Sequence, residues 1–410
     1  MTAADRLGEA LKPFAGGALP VRLRAWDGSE TGPADGTVPL VTVSSPAALR
    51  RLLWRPGELG AAQAYVTGEL DVPEQEGWTL QSALAHAFAV ARDRRRLRAS
   101  AVAGAVRTAF ALGVVGPPPA APASQARVRG RRHTRRRDRS AVSFHYDLSN
   151  AFYELILDPT MAYSCGVHAS AEQPLQAAQE AKLSLVCRKL GLEPGARLLD
   201  VGCGWGALAL HAAQHFGARV TGVTIAAEQQ RFVEARARER GLDDLVEVRL
   251  QDYRDVPERD HFDAVGSIEM GEHVGQANYA VYAEVLRRSV RPGGRVLVQQ
   301  MSRAGRWPGG GPFIESFIAP DMHMRPVGET VALLEASGLE ACDVQSLREH
   351  YPLTIAGWQR RFDEHRARLV ELVGEEVVRV WQLYLAGGAL AFRDGRMGVD
   401  QILLVRTATP

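Results

Sequence analysis

What this sequence lacks narrows its class before any motif is read. Its four cysteines, Cys165, Cys187, Cys203 and Cys342, form no CxxC pair, which argues against a structural zinc site and a disulfide framework. Reduced thiols are the expectation. No apolar run approaches the roughly 18 residues that a membrane span needs. The opening MTAADRLGEALKPF has neither a basic stretch nor an apolar core, so no export signal is expected and the cytoplasm is the expected compartment. No internal repeat is apparent. Neither sign of charge dominates, since 49 basic and 47 acidic residues leave a formal net of +2. That sum hides a local asymmetry, which is more informative than the total.

A chain of 410 residues is too long for one ordinary core, and two domains are expected. The first stretch mixes two patterns. VRLRAW (21–26) alternates apolar and polar residues, DGSETG supplies a turn, and VPLVTVSS (38–45) reads as a second strand. PAALRRLLW follows with helical spacing, started by the serines before Pro46. A further helical stretch is predicted from about Thr79 to Leu112, carrying Arg92, Arg94, Arg95, Arg96 and Arg98. The spacing therefore predicts a small α+β domain over 1–114, a Pro- and Arg-rich linker over 115–139, and a larger domain over 140–410.

Within the linker, GPPPAAPAS (116–124) cannot form a regular element. RVRGRRHTRRRDRS follows, with eight arginines between Arg127 and Arg139. Such a run serves as a solvated tether, or draws the chain to an anionic membrane, where each basic residue contributes about 1 kcal/mol. A nucleic-acid role is disfavoured, because the run lacks the interleaved aromatics that stack on single-stranded bases.

From Arg197 onward strands and helices alternate. RLLDVG, RVTGVT, VEVRLQD, FDAVGSI and RVLVQQ read as strands, and a helical segment from about Ile355 to Ala391 precedes a last strand, QILLVR. This alternation predicts a doubly wound α/β fold, mostly parallel, with ligand at the carboxyl ends of its strands. One such end is rich in glycine. LLDVGCGWGALALHAA reads strand, turn, helix, and Gly202, Gly204 and Gly206 let the backbone approach a ligand without Cβ interference. The spacing is G-x-G-x-G rather than G-x-G-x-x-G, and Asp200 closes the strand before it. The second strand ends in Thr224, where a dinucleotide site would carry an acid for the ribose, and the third runs into Asp252. These departures weigh against NAD and favour a smaller nucleoside gripped between Asp200 and Asp252.

DVGCGWG resembles the first motif of class I S-adenosylmethionine-dependent methyltransferases. Together with HYDLSNAFYELILDPTMAYSC (145–165), GVTIAAEQ, DYRD and EHVG, it resembles the cyclopropane-fatty-acyl-phospholipid synthases and their mycolic-acid methyltransferase relatives. The resemblance spans about residue 140 to the end, and extends more weakly to the N-terminal domain as the smaller, lipid-binding domain of the phospholipid-acting members. It implies a Rossmann-like catalytic domain with a mostly parallel seven-stranded sheet, S-adenosylmethionine as cofactor, and a homodimer. It also implies an enzyme held at the inner face of the membrane. The 145–165 segment becomes a lid over cofactor and acyl chain. Tyr163 and Ser164 are placed against the cofactor, with Gly202, Gly204 and Gly206 beneath it and Asp200 and Thr224 beside it. Gln229 would reach the ribose, and Asp252 and Tyr253 the adenine.

The implied substrate is a cis-unsaturated acyl chain of membrane phospholipid. Its π electrons must meet a sulfonium methyl in line and without water, leaving a carbocation that electron-rich faces stabilise. In the resembled family a bound bicarbonate then removes a proton, held by a cysteine, a glutamate, a histidine and a tyrosine. Cys165, Glu272 and Tyr351 match three of these, and Gln299 stands where the histidine is common. A glutamine hydrogen-bonds an oxyanion but cannot become cationic. Immediate proton loss gives a cyclopropane, the family's commonest product. A prior hydride shift gives an exocyclic methylene instead, which a partner reductase converts to a methyl branch. Two other readings remain open here: methylation of a small alkene in secondary metabolism, and a nucleic-acid protein recruited by the arginine run, although no NPPY-type motif is present. His273 and the other cysteines are expected to be structural, with Cys187, Cys203 and Cys342 as small buried hydrophobes. Nothing adjacent to Cys165 supplies a base, so a packing or backbone role is expected there rather than nucleophilic attack.

Overall fold

The computed structural model describes residues 1–12, 18–92, 108, 110–114, 116–126, 130, 132–135, 137, 149–305 and 308–407. The start of the lid motif (145–148), Arg94, Arg95, Arg96, Arg98 and five of the eight linker arginines lie outside the described residues. The chain divides into two compact units, Met1–Gln125 with Val373–Leu390, and Ala126–Leu372 with Ala391–Pro410.

The first unit opens on α1 (Ala3–Leu11), whose first turn is closed by a reciprocal capping box between Thr2 and Asp5. Strands β1 (Arg22–Arg24), β2 (Glu30–Thr31) and β3 (Leu40–Val43) follow, then α2 (Pro46–Trp54), α3 (Glu58–Val66), β4 (Leu70–Asp71) and α4 (Leu80–Arg92). The Ser45 hydroxyl caps α2 ahead of Pro46, as the serine–proline signal predicts. The sheet order is β2-β1-β3-β4. A buried Arg51 forks onto both carboxylate oxygens of Glu69 at 2.7 and 3.0 Å. The late segment Val373–Leu390 joins this unit through Arg379, which donates to the Tyr65 and Leu70 carbonyls and to Asp71. The sequence pattern had assigned nothing beyond residue 114 to this unit.

The second unit is built on seven strands, β5 (Arg197–Val201), β6 (Arg219–Thr224), β7 (Val246–Leu250), β8 (Phe262–Ile268), β9 (Val290–Ser302), β10 (Leu339–Ser346) and β11 (Gly398–Arg406). Their order is β10-β11-β9-β8-β5-β6-β7, and only β11 runs antiparallel to its neighbours. The central strands are buried on both faces, hence their continuous apolar runs. Adjacent residues point to opposite sides. Leu198 and Leu297 join a cluster with Leu183, Val186 and Leu208, while Leu199 and Val298 join Tyr279, Tyr282 and Leu404 on the other face.

Nine α-helices are described within this unit: α5 (Asn150–Ile156), α6 (Leu175–Leu190), α7 (Ala207–Phe216), α8 (Ala227–Glu239), α9 (Gly271–Val274), α10 (Tyr279–Ser289), α11 (Pro312–Phe317), α12 (Val327–Glu335) and α13 (Tyr351–Glu364), while α14 (Arg366–Arg393) is divided between the two units. The single helical segment expected over 355–391 is thus two helices, and α14 itself breaks at Gly374, whose φ of 80° and ψ of 158° are not helical. Among the described residues no helix is long and apolar enough to cross a membrane. Cys187 and Cys203 are buried, but Cys342 is exposed, which corrects the expectation for it. It lies on β10, the edge strand, where the register shifts between Ala341 and Asp343 and the inside–outside alternation fails.

Candidate active site

The carboxyl ends of β5, β6, β7 and β8 open onto one cavity of about 1450 Å³, part of it open to solvent. The glycine turn after β5 forms one wall. Gly202 adopts φ 77°, and a Cβ there would meet the Met270 side chain at 2.7 Å, so both conformation and space demand glycine. Gly206 is also required, but for another reason: it points away from the cavity, and its Cβ would strike Val233 of α8 at 2.6 Å. Tyr163, Ser164, Asp200, Gly202, Gly204, Thr224, Gln229, Asp252 and Tyr253 all line the cavity. The Thr224 hydroxyl donates to Gln229 Oε1 at 2.9 Å. Asp200 Oδ2 and Gln229 Nε2 are buried and have no hydrogen-bond partner among the described residues. Unmet buried polar atoms are rare in folded proteins, so an acceptor and a donor facing one cavity fit a polar nucleoside ligand. Burial pushes the Asp200 carboxyl up to about 7. At Asp252 burial acts in the same sense, but hydrogen bonds from Arg254 outweigh it and hold the carboxyl below its ordinary value.

The described part of the 145–165 segment is anchored by aromatic packing. Phe152 and Tyr153 are fully buried on α5, and Tyr153 lies 4.3 Å from the Trp205 ring between centroids. Trp205 in turn donates to Asn150 at 3.0 Å. Tyr163 packs on Trp358 of α13. Three described arginines of the linker run sit on acids. Arg137 forks onto Asp321, a cavity-lining residue, Arg132 reaches Asp321 at 3.2 Å, and Arg135 forks onto Asp255 at 2.7 Å.

The cavity floor holds a carboxylate that the motif pattern did not single out. Glu269 follows directly on β8, with φ 48°, and this left-handed step turns its side chain across the sheet end. The Cys165 amide donates to its Oε1 at 2.8 Å, Gln299 Nε2 donates to the same oxygen at 2.9 Å, and the Tyr351 hydroxyl donates to Oε2 at 2.6 Å. Gln299 is fixed in turn by Gln401, whose amide donates to its Oε1 at 3.0 Å. Three of the four residues matched to the bicarbonate site therefore converge, but on a side-chain carboxylate. Glu272, the fourth, is elsewhere. It sits on α9, fully buried, and its oxygens accept no hydrogen bond of good geometry from the described residues. The two glutamates lie three residues apart, and the left-handed backbone at Glu269 ahead of α9 places it, not Glu272, among the donors.

The electrostatics separate the two carboxyls further. Burial, then the nearby Glu269 charge, pushes Glu272 up to about 8, which favours its protonated form. Burial also raises Glu269, opposed by the Tyr351, Cys165 and Gln299 hydrogen bonds and by the Lys182 charge. The Cys165 thiol is driven well above its ordinary value by burial and by Glu269, which keeps it neutral and non-nucleophilic. His273 lines the cavity. Two further residues escaped the sequence reading besides Glu269, namely Lys182, which lines the cavity, and Gln401, which lies behind Gln299. Glu269 carried a usable signal, an acid at the carboxyl end of a central parallel strand.

The chain matches the mycolic acid cyclopropane synthetase family over residues 133–402. It belongs to that family. A probable fatty acid methyltransferase of Mycobacterium tuberculosis is 37% identical over 98% of this chain and 94% of its own length. The tuberculostearic acid methyltransferase UfaA1 of the same organism is 33% identical over 96% of this chain and 89% of its own. Among solved structures, the mycolic acid cyclopropane synthase CmaA1 complexed with SAH and CTAB has a TM-score of 0.61 at 31% identity, covering 65% of this chain and 98% of that one. The seven-stranded sheet is thus that of a class I S-adenosylmethionine-dependent methyltransferase, in a family that modifies lipids.

Proposed function

We propose that this enzyme methylates the cis double bond of an unsaturated phospholipid acyl chain, and that Glu269 is the base that completes the reaction. The observation that carries this reading is the convergence of the Cys165 amide, Gln299 and Tyr351 on one cavity-lining carboxylate. S-adenosylmethionine supplies an electrophilic methyl on a cationic sulfur when bound. Asp200, Thr224, Gln229, Asp252 and Tyr253 would hold it, the unmet Asp200 and Gln229 atoms supplying an acceptor and a donor. The alkene π pair forms the new carbon–carbon bond, the sulfur keeps the pair of the broken bond, and the chain is left with a carbocation. The Glu269 charge and the rings of Tyr163 and Trp205, all on the cavity wall, favour that cation.

Glu269 then takes one proton. After a hydride shift onto the neighbouring carbon, the proton leaves the transferred methyl and its bonding pair becomes the double bond of a methylene branch. Without the shift, the same pair closes a cyclopropane. Relatives matching nearly the whole chain carry fatty acid methyltransferase names, which supports the methylene product over the cyclopropane that motif resemblance alone favours. A methylene branch would need a hydride-donating reductase to become a methyl branch. A fixed internal base makes bicarbonate dispensable. The test is incubation with S-adenosylmethionine and dioleoyl phosphatidylglycerol vesicles in carbon-dioxide-free buffer, with released acyl chains read by mass spectrometry and NMR. Methylene chains at full rate are expected. A strict requirement for added bicarbonate would overturn the assignment of Glu269, and cyclopropane chains would overturn the product.

A further inference from the structure

The donor that meets Glu269 from the lid is a backbone amide, and a backbone amide is only as well aimed as its peptide plane. The peptide joining Ser164 and Cys165 is trans, since there is no cis peptide bond among the described residues, so its C=O and N–H point in opposite directions. At one end the N–H donates to Glu269 Oε1 at 2.8 Å. At the other end the Ser164 carbonyl accepts from Gln179 Nε2 at 2.7 Å. Gln179 also reaches the Ala162 carbonyl at 3.3 Å. One turn along α6, Lys182 Nζ donates to the Ser164 hydroxyl at 2.8 Å. Residues three apart on a helix share a face, so α6 grips Ser164 by backbone and side chain together.

Both grips are costly to place here. Gln179 is fully buried and Lys182 is 1% exposed, and Lys182 is one of only three lysines in a chain whose other basic residues are arginines. A buried ammonium is expensive unless an opposite charge answers it, yet no ion pair to Lys182 is found among the described residues. Burial lowers its pKa, opposed at longer range by the carboxylates of Glu269, Asp158 and Asp200. A structural clamp for a loop would need neither a charge nor this burial.

We propose that Gln179 and Lys182 are positioning residues for Glu269, acting through the Ser164–Cys165 peptide, which they fix so that its amide holds the carboxylate in its ionised, proton-accepting form. This rests on the reading of Glu269 as the base. The carbonyl-side hydrogen bond also polarises the peptide, which strengthens the amide on its far side. The charged and titratable groups facing Glu269 are Lys182 from α6, Cys165 from the lid, Tyr351 from α13 and Glu272 from α9. Of these, only Lys182 favours the carboxylate by charge.

The experiment compares Gln179→Met, Lys182→Met and Lys182→Arg with wild type and Glu269→Gln in the full chain. Two readouts are taken: the pH profile of kcat on dioleoyl phosphatidylglycerol vesicles at saturating S-adenosylmethionine, and the Glu269 carbonyl band in infrared difference spectra against Glu269→Gln. Losing a donor to the charged form raises a carboxyl's pKa. The acid limb of kcat and the infrared midpoint of Gln179→Met should therefore both move up by about one unit. Above the limb, kcat should return to within a few-fold of wild type. Lys182→Met should move both midpoints at least as far, and Lys182→Arg should keep them near wild type. A uniform loss of kcat at every pH, or unmoved midpoints in folded Gln179→Met, would overturn the proposal. If Gln179→Met does not fold, the Lys182 pair decides alone, equal midpoints in Met and Arg variants counting against it. Wild-type turnover in Glu269→Gln would instead sink the base assignment itself.

Discussion

The rim and the floor of the same cavity handle charge in opposite ways. At the rim, the cavity-lining Asp252 and Asp321 each have a cation on them, Arg254 and Arg137 with Arg132, and just outside the lining Asp255 is paired with Arg135. At the floor, Lys182, Asp200, Glu269 and Glu272 are all buried or lining the cavity, and no ion pair joins any of them among the described residues. Neutral donors hold Glu269 instead. Only the Arg135–Asp255 pair is solvent-exposed and so worth little; the Asp252 and Asp321 carboxylates are largely buried, and their charge is spent on their arginines. A buried charge held only by neutral donors keeps its field, and that field is available to whatever fills the cavity. The contrast separates groups that shape the entrance from groups that act on a ligand.

The largest expected effect breaks the floor. Glu269→Gln keeps shape and loses basicity, so kcat should fall by about a thousand-fold, within the usual range for a general base, with S-adenosylhomocysteine binding unchanged by calorimetry. Glu269→Gly removes the side chain and relaxes the left-handed step at φ 48°. Added bicarbonate should restore part of its activity by entering the vacated position between Cys165, Gln299 and Tyr351, while formate tests whether any small carboxylate suffices.

A smaller effect distinguishes the two glutamates. Glu272→Gln should keep activity within about ten-fold, because its carboxyl is not among the donors' targets, and general-base losses begin near a hundred-fold. Its mark is on stability. A carboxyl whose pKa is about 8 in the fold and about 4.3 when unfolded binds more protons folded than unfolded between those values. Stability therefore falls as pH rises from about 4 to about 8, and the penalty is complete above that. Glu272→Gln removes it, so melting temperature should rise relative to wild type at pH 9 and match it near pH 4. The smallest effect belongs to the rim. Arg135→Gln breaks an exposed pair and should change stability by less than about 1 kcal/mol, a difference that added salt erases.

The same contrast marks what the sequence could tell. Alternating strands and helices, the glycine turn and the acids closing β5 and β7 are local patterns, and each lies on the cavity as expected. Cys165, Gln299 and Tyr351 were legible because each sits in its own motif. What joined them was not. Glu269 meets donors 104, 30 and 82 residues away, and only a backbone step after β8 aims it at them. Glu272, in the EHVG motif, drew attention because motif matching weighs residue identity and not side-chain direction. The transfer of Val373–Leu390 to the first unit had a local cause, the break at Gly374, but a glycine within a helical run does not announce where the chain goes next.

Glu269 has one consequence outside the cavity. A base dissolved in the medium varies with aeration, growth phase and the activity of neighbouring decarboxylases, and an enzyme that borrows it inherits those swings. With Glu269 as the proposed base, the base is translated with the chain, one per site and always present. Lipid modification by this enzyme should accordingly follow the supply of methyl donor and unsaturated chains, and be indifferent to dissolved carbon dioxide.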